Sequence, residues 1–202
     1  MAAYPVPSVD DIESDRNDPW DVLVSTVISL RTKDKVTLEA SRRLLPVAPG
    51  PREYLSLGEA KAADLIYPAG FYRTKAANLA KISRLLLDRH GGGVPDDLDA
   101  LLALPGVGLK TANLVLSVGF GIPAICVDIH VHRIANRRGW IDTASPDASE
   151  QALRDILPRR WWIPVNRLLV SFGQHVCTPA SPRCSECPVA PGCPRRGAER
   201  HR

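Results

Sequence analysis

Apolar side chains recur along the chain at the spacing of helices. Between residues 73 and 90, Leu79, Ile82 and Leu86 form one apolar stripe, and the glycines at 91–93 follow it as a stop signal. No long segment alternates convincingly with the period of two that a half-buried strand shows. The pattern therefore predicts an all-α protein.

Proline and acidic residues indicate where other helices begin and end. Asp18 before Pro19 predicts a helix start, because an acidic N-cap followed by proline suits the first helical turn. Further helices are predicted over about 97–103, 109–120, 146–157 and 161–176. Five prolines after Cys177 exclude another helix near the C-terminal end.

One segment is ambiguous. Apolar residues occupy alternate positions from 125 to 131, as in a strand. We nevertheless predict a helix from Asp128, because an acidic residue can cap a helix and Val131 and Ile134 continue at helical spacing.

The composition of the 202 residues, 45% hydrophobic and 24% charged, is that of a globular protein. Residues 1–21 sum to a charge of −5. Because the net charge of the whole chain is +4, residues 22–202 carry +9. A basic body weakly indicates a polyanionic partner, and a solvated surface explains it equally well. No apolar run reaches the roughly 18 residues of a membrane span. No secretory signal begins the chain, so we expect a cytoplasmic protein without a membrane partner.

Four of the five cysteines lie close together, at Cys177, Cys184, Cys187 and Cys193. They predict a metal site, because disulfides are rare in the cytoplasm. Structural zinc usually uses two close cysteine pairs, whereas only one is present here. The spacing favours a [4Fe-4S] cluster with four thiolate ligands, and the absence of another cofactor motif favours a structural role for it. The fifth, Cys126, is expected to be a small buried apolar residue.

A glycine-rich turn, LPGVG at 104–108, precedes a lysine. Exposed backbone N–H groups and the following helix dipole can bind an anion there, although the turn alone is better explained as an ordinary helix connection. Lys110 strengthens the functional interpretation, because the dipole favours its uncharged amine, the form that attacks carbon and forms Schiff bases. The alternative is a solvated surface lysine.

Asp128 is the second candidate for chemistry. Flanked by apolar residues, it can face the same cleft as Lys110 and stabilise a cationic intermediate or manage protons. The alternative is a plain N-cap, and both roles are compatible.

Three motifs in this order, LPGVGLKTAN, VDIH and C-x6-C-x2-C-x5-C, resemble the endonuclease III family of helix-hairpin-helix DNA glycosylases. The resemblance runs from about Pro19 to Cys193 and includes SLRTKD at 29–34 and GFYRTKA at 70–76.

The resemblance implies a fold and a partner. A six-helix barrel with the helix-hairpin-helix would span 19–122, and residues 1–18 and 123–202 would form the iron-sulfur cluster domain, with DNA bound between them. We expect a monomer that binds double-stranded DNA with a damaged base, in the nucleoid of a prokaryote. The damaged base would be flipped out of the stack.

The resemblance also implies a reaction. Lys110 would attack the sugar C1′ and displace the base, and the resulting Schiff base would permit β-elimination on the 3′ side. Asp128 would support the nucleophile and the developing positive charge. Adenine glycosylases share the cysteine spacing but typically lack this lysine, so Lys110 favours a bifunctional glycosylase/lyase that removes oxidised pyrimidines in base excision repair.

The DNA contacts implied by the resemblance include two departures from the family. The residues expected to touch DNA are Arg31, Phe71, Leu104, Gly106, Val107, Gly108, His130 and Arg183. Arg31 stands where relatives usually have glutamine, near the gap left by the flipped base, so the opposite-base preference stays open. Phe71 would be a second wedge where an aliphatic residue is common, and core packing is its alternative.

Other functions remain open at this point. One is a mismatch or uracil-type glycosylase of the same fold, because a single sequence does not locate the residues of the base pocket. Another is a non-catalytic DNA-binding iron-sulfur module, against which Lys110 argues. A redox carrier fits least, since a carrier needs less protein than this.

Overall fold

The described part of the chain is helical. The computed structural model describes residues 18–202, and within this range every regular element is a helix and there is no strand. The all-α prediction is therefore confirmed. Nearly all of the acidic leader, and all but one residue of the predicted 1–18 segment of the cluster domain, lie outside the described residues. The described residues belong to two compact units, 18–122 and 123–202.

The first unit consists of short helices with one long helix among them. Its α-helices are α1 (Pro19–Ser29), α2 (Asp34–Leu44), α3 (Pro51–Leu57), α4 (Glu59–Ile66), α5 (Tyr72–His90), α6 (Leu98–Leu102) and α7 (Leu109–Leu114). Asp18 caps α1 as predicted, since its carboxylate accepts a hydrogen bond from the Trp20 amide at 2.9 Å. Gly91 ends α5 with a left-handed φ of 60°, which suits glycine.

Helix α1 is the centre of the first unit. All of its residues from Trp20 to Ile28 are buried, and it packs against α2, α5 and α7. The polar tips of two buried aromatic rings are satisfied: Trp20 Nε1 donates to Ala48 O and Tyr54 Oη donates to Ala76 O, both at 2.9 Å. Arg31 therefore follows a helix that is buried up to Ile28.

The helix predicted over 109–120 takes a different form. Helix α7 is regular only to Leu114, and the chain continues as a π-helical turn from Val115 to Gly119. The turn lies against α1, because a Cβ on Gly119 would be 3.1 Å from Pro19 Cα. Hydrophobic periodicity predicts a helix but does not reveal a single widened turn of this kind.

The second unit contains three α-helices among its residues 123–202. They are α8 (Ile129–Arg137), α9 (Pro146–Ile156) and α10 (Trp162–His175), the last preceded by a 3-10 turn at Arg159–Trp161. The helix predicted from Asp128 is confirmed. Its core is formed by Ile125, Val127, Val131, Ile134, Ala135, Ile141, Leu153, Val165 and Leu169. Cys126 is buried between two of these positions, as expected of a small apolar residue.

The tail from Cys177 to Arg202 contains no helix, as its prolines predicted. Three consecutive turns hold the cysteine loop: the amides of Cys187, Ala190 and Cys193 donate to the carbonyls of Cys184, Cys187 and Ala190 at 3.4, 3.0 and 3.0 Å. Among residues 18–202, no helix is long and apolar enough to cross a membrane.

Candidate active site

The glycine-rich turn joins α6 to α7 and presents its backbone. Leu104 and Val107 are buried, and the Val107 amide donates to Leu104 O at 3.1 Å. Gly106 has a φ of 75°, and a Cβ there would be 3.1 Å from Asn78 Nδ2. The two apolar residues therefore anchor the turn in the core, and the contact predicted for residues 104–108 falls to backbone groups.

Lys110 is the second residue of α7 and is half-buried. Gly108 is the N-cap, and no side-chain hydrogen bond caps this end of the helix. The first N–H groups of an α-helix have no intrahelical acceptor, so positive potential collects around Lys110. The predicted nucleophile thus lies in the part of the turn that favours an anion.

Asp128 begins α8 in the second unit. Its Oδ1 accepts hydrogen bonds from the amides of His130 at 2.9 Å and Val131 at 2.8 Å. Both capping hydrogen bonds use the same oxygen, so capping engages one half of the carboxylate. Asp128 can therefore cap α8 and still present Oδ2 to a substrate. Because Lys110 and Asp128 belong to different units, their joint action stays a prediction.

The His130 side chain is oriented by its neighbour. Arg133 Nη2 lies 3.1 Å from His130 Nδ1, and a guanidinium can only donate. In the neutral imidazole Nδ1 is then the acceptor and Nε2 carries the proton. Gly173 permits this arrangement, because a Cβ there would be 2.6 Å from His130 Nδ1.

Arg133 also joins α8 to the cysteine loop. Its Nη2 donates to Gly173 O at 3.3 Å and to Cys177 O at 2.8 Å. Burial, together with the neighbouring Arg137, lowers the pKa of Arg133. The residues around His130 and the first predicted metal ligand therefore share one hydrogen-bonded side chain.

The four predicted metal ligands line one cavity of about 350 Å³ in the second unit, together with apolar side chains such as Leu169 and Phe172. All four cysteines are half-buried and unbridged. Arg137 Nη1 donates to Cys177 Sγ at 3.5 Å, and Cys193 Sγ lies 3.9 Å from Arg137 O. Arg183 is exposed at the same cavity.

The donor set at this cavity consists of four thiols. Within residues 18–202, no three Cys, His, Asp or Glu side chains are placed to hold a single metal ion. Burial raises the pKa of Cys184, Arg195 lowers it, and the other three cysteines raise it. Four thiols that line one cavity match the four-cysteine ligand set of a [4Fe-4S] cluster, a set that structural zinc also uses.

Comparisons with known proteins relate this chain to DNA repair proteins. Residues 24–159 match the HhH-GPD superfamily of base excision DNA repair proteins. The chain is 49% identical to endonuclease III of Thermotoga maritima over 84% of this chain and 80% of that protein. It is 42% identical to the chloroplastic endonuclease III homolog 1 of Arabidopsis thaliana over 86% of this chain, but spans only 48% of that longer protein.

A solved structure decides the fold. The structure of a trapped endonuclease III–DNA covalent intermediate, an estranged-adenine complex, aligns with a TM-score of 0.84 at 33% identity, over 93% of this chain and 92% of that one. The chain belongs to the endonuclease III family. Its fold is accordingly that of the helix-hairpin-helix glycosylase/lyases of base excision repair.

Within this endonuclease III fold, the two predicted wedge residues meet. The Arg31 guanidinium carbon lies 5.7 Å from the centre of the Phe71 ring, a cation–π contact. Phe71 is 63% exposed, so core packing does not explain it. Both residues have left-handed backbones, with φ of 53° and 57°. This conformation is uncommon for residues with bulky side chains, so the surroundings must hold both turns.

Lys75 is the functional candidate of this family member that the sequence analysis missed. It lies one helical turn after Phe71 and is only 6% exposed. Its Nζ donates to Ile28 O at 2.7 Å, Leu30 O at 2.6 Å and Thr32 Oγ1 at 2.8 Å, and burial lowers its pKa to about 8. The segment GFYRTKA contains it, but an isolated lysine in a sequence is normally exposed, and nothing in the pattern marks this one.

Proposed function

We propose that this protein is a bifunctional DNA glycosylase/AP lyase that removes oxidised pyrimidines from double-stranded DNA. The observation that carries the proposal is Lys110 in the uncapped first turn of α7, directly after the glycine-rich turn. The family supports it, since relatives with the name endonuclease III cover most of this chain. The trapped covalent intermediate of a structural relative supports covalent chemistry on DNA.

Lys110 acts as the nucleophile. Its neutral amine attacks C1′ of the damaged nucleotide while the bond from C1′ to the base breaks, and the base leaves with a proton. Opening of the sugar then gives a Schiff base between Nζ and C1′. Loss of a proton from C2′ expels the 3′ phosphate oxygen, which cuts the strand, and water later releases the lysine.

Asp128 stabilises the positive charge that develops on the sugar as the base leaves. Its Oδ1 is held by the His130 and Val131 amides, which fixes the plane of the carboxylate. A carboxylate that is already oriented needs little reorganisation when the charge appears. The same group can accept a proton during elimination.

Backbone and basic groups bind the DNA around the lesion. In the turn 104–108, the amides of Gly106 and Gly108 are the candidate donors to a phosphate, because those of Leu104 and Val107 donate to backbone carbonyls and Pro105 has no N–H. His130, whose ring is oriented by Arg133, and the exposed Arg183 add basic groups. Arg31 and Phe71 fill the gap that the flipped base leaves.

The proposed cofactor is a [4Fe-4S] cluster, with Cys177, Cys184, Cys187 and Cys193 as its ligands. The cavity lined by the four cysteines supports this assignment. When bound, the cluster supplies folding free energy to a tail too rich in proline to form a helix. We assign it no step in the reaction. Monomeric state, cytoplasmic location and prokaryotic origin stay predictions.

Borohydride trapping tests the proposal. Purified protein is incubated with duplex DNA that contains thymine glycol or an abasic site, and the covalent adduct is measured. We expect an adduct on both duplexes for the native protein and for Lys81→Ala, an exposed lysine of α5. We expect none for Lys110→Ala, because a Schiff base requires the amine.

The other outcomes separate the alternatives. An adduct on the abasic duplex alone would point to a different damaged base, such as a mismatched or deaminated one. An undiminished adduct in Lys110→Ala would remove Lys110 from its role. Tight binding without any adduct would leave a DNA-binding module or a glycosylase without lyase activity.

A further inference from the structure

Lys75 connects, through hydrogen bonds, the two turns that carry Arg31 and Phe71. Its three acceptors lie at the end of α1 and in the turn after it, namely the carbonyls of Ile28 and Leu30 and the hydroxyl of Thr32. Lys75 itself belongs to α5, where its amide donates to Phe71 O at 3.0 Å. One buried side chain thus ties the residues on both sides of Arg31 to the helix that begins beside Phe71.

Two further contacts close the gap between these turns. Thr32 Oγ1, which accepts from Lys75, also accepts from the Gly70 amide at 3.1 Å. Gly70 lies so close to the other turn that a Cβ there would be 2.6 Å from Arg31 O. The two turns that carry the Arg31–Phe71 cation–π contact are therefore held close together by these contacts.

We propose that Lys75 is a positioning residue that holds Arg31 and Phe71 as one preassembled wedge, and that this wedge determines how the enzyme discriminates the base opposite the lesion. This inference rests on the proposed function. The acceptors of Lys75 are backbone carbonyls and a hydroxyl, so its role is to orient the turn and not to contact DNA. Preassembly matters because ordering two loops during binding would lower affinity.

A purely structural role would have a different signature. The carbonyls of Ile28 and Leu30 belong to the end of α1, and a buried ammonium there completes the helix terminus. If Lys75 did only this, its loss would weaken activity on every DNA equally. A wedge acts only where a partner strand is present, so single-stranded DNA supplies the internal reference.

The test compares Lys75→Met with the native protein and with Lys81→Met, an exposed position on the same helix. Strand cleavage is measured under single-turnover conditions on an abasic site in single-stranded DNA and opposite each of the four bases in duplex DNA. For Lys75→Met we expect an unchanged rate on the single strand and a loss of about tenfold in the duplex rate, with the spread among opposite bases reduced. Lys81→Met should match the native protein.

A fluorescence measurement tests directly whether the wedge displaces the opposite base. A duplex carries 2-aminopurine opposite a stable abasic analogue, and its fluorescence reports whether the orphan base is displaced on binding. We expect the native signal to be lost in Lys75→Met and in Arg31→Ala. Equal losses on single-stranded and duplex DNA, or a native opposite-base profile with native fluorescence, would overturn the inference.

A milder variant covers a failure of Lys75→Met to fold. Thr32→Val removes the hydroxyl that joins Lys75 to Gly70 and leaves the two carbonyl acceptors in place. It should show the same shift in the ratio of duplex to single-strand rates, and a native ratio would refute the inference. Absence of cleavage by the native protein on every substrate would instead refute the proposed function.

Discussion

The helices that carry Lys110 and Asp128 begin in opposite ways. Helix α7 begins at Gly108, which has no side chain to cap it, whereas α8 begins at Asp128, whose Oδ1 accepts from two amides of its own helix. No cap competes for the first N–H groups of α7, while those of α8 are partly satisfied internally. The same element, a helix N-terminus, is therefore suited to a substrate phosphate in one unit and to fixing a carboxylate in the other.

The largest effect is expected when the two roles of Asp128, as a helix cap and as a negative charge, are separated. Asparagine caps a helix about as well as aspartate but carries no charge, so Asp128→Asn should keep the thermal stability and lower the base-release rate by roughly 10²- to 10⁴-fold. Single-turnover base release and thermal denaturation measure the two effects.

Asp128→Ala is the matched variant. It should lose activity to the same degree and also about 1 kcal/mol of stability, because the cap is gone. A rate in Asp128→Asn within about threefold of the native one would contradict a role for the charge in stabilising the transition state.

A smaller effect is expected when α7 is given the cap that α8 has. Gly108 has a φ of −99°, and nothing lies within 4 Å of a Cβ built on it, so other residues fit. Gly108→Asp should leave stability unchanged or raise it slightly, yet weaken binding of a duplex with an abasic analogue by about tenfold. The new carboxylate would repel the phosphate and compete for the same N–H groups.

Gly108→Ala is the control for side-chain volume, and the affinity difference between the two variants should shrink in high salt. If Gly108→Asp bound the duplex as tightly as Gly108→Ala at low salt, the turn would not be a phosphate site.

The smallest expected effect is a change of stability with pH that comes from Lys75. Its ammonium group donates to carbonyls at the C-terminal end of α1. Burial lowers the pKa of Lys75 to about 8 in the folded state, from 10.5 for a free lysine. The unfolded chain therefore binds more protons between these values, so this group makes stability rise with pH from about 8 to 10.5. Below about pH 8 its desolvation penalty is fully present.

Chemical denaturation of the native protein and Lys75→Met across this range measures the contribution. The native protein should gain stability relative to Lys75→Met as the pH rises, by on the order of 1 kcal/mol per pH unit at most. Parallel curves would show that Lys75 does not titrate in this range.

The sequence was sufficient where one residue determines its own surroundings. Asp18 and Asp128 predicted helix starts because an acidic N-cap needs only the amides of its own helix, and both are confirmed. The prolines after Cys177 excluded a helix for an equally local reason. The candidate nucleophile and the cysteine set also come from local motifs, and both assignments stay predictions.

The sequence was insufficient where distant segments meet. The left-handed backbone of Phe71 and its contact with Arg31 depend on residues 40 positions apart in the chain. Lys75 was overlooked because its three acceptors come from α1 and the turn after it, and a pattern does not pair them. The π-helical turn at Val115–Gly119 likewise lies against a distant residue, Pro19.

The arginines of α8 have a consequence for how the protein is made. Arg133 and Arg137 are held by carbonyls of Cys177, Thr178, Pro179 and Gly197, all of which are synthesised 40 or more residues later. Until that tail has left the ribosome, two guanidinium groups of α8 lack acceptors that they have in the finished protein. The second unit therefore matures late in translation, and a chain cut short before Cys177 would leave the helix that begins at Asp128 without its final supports.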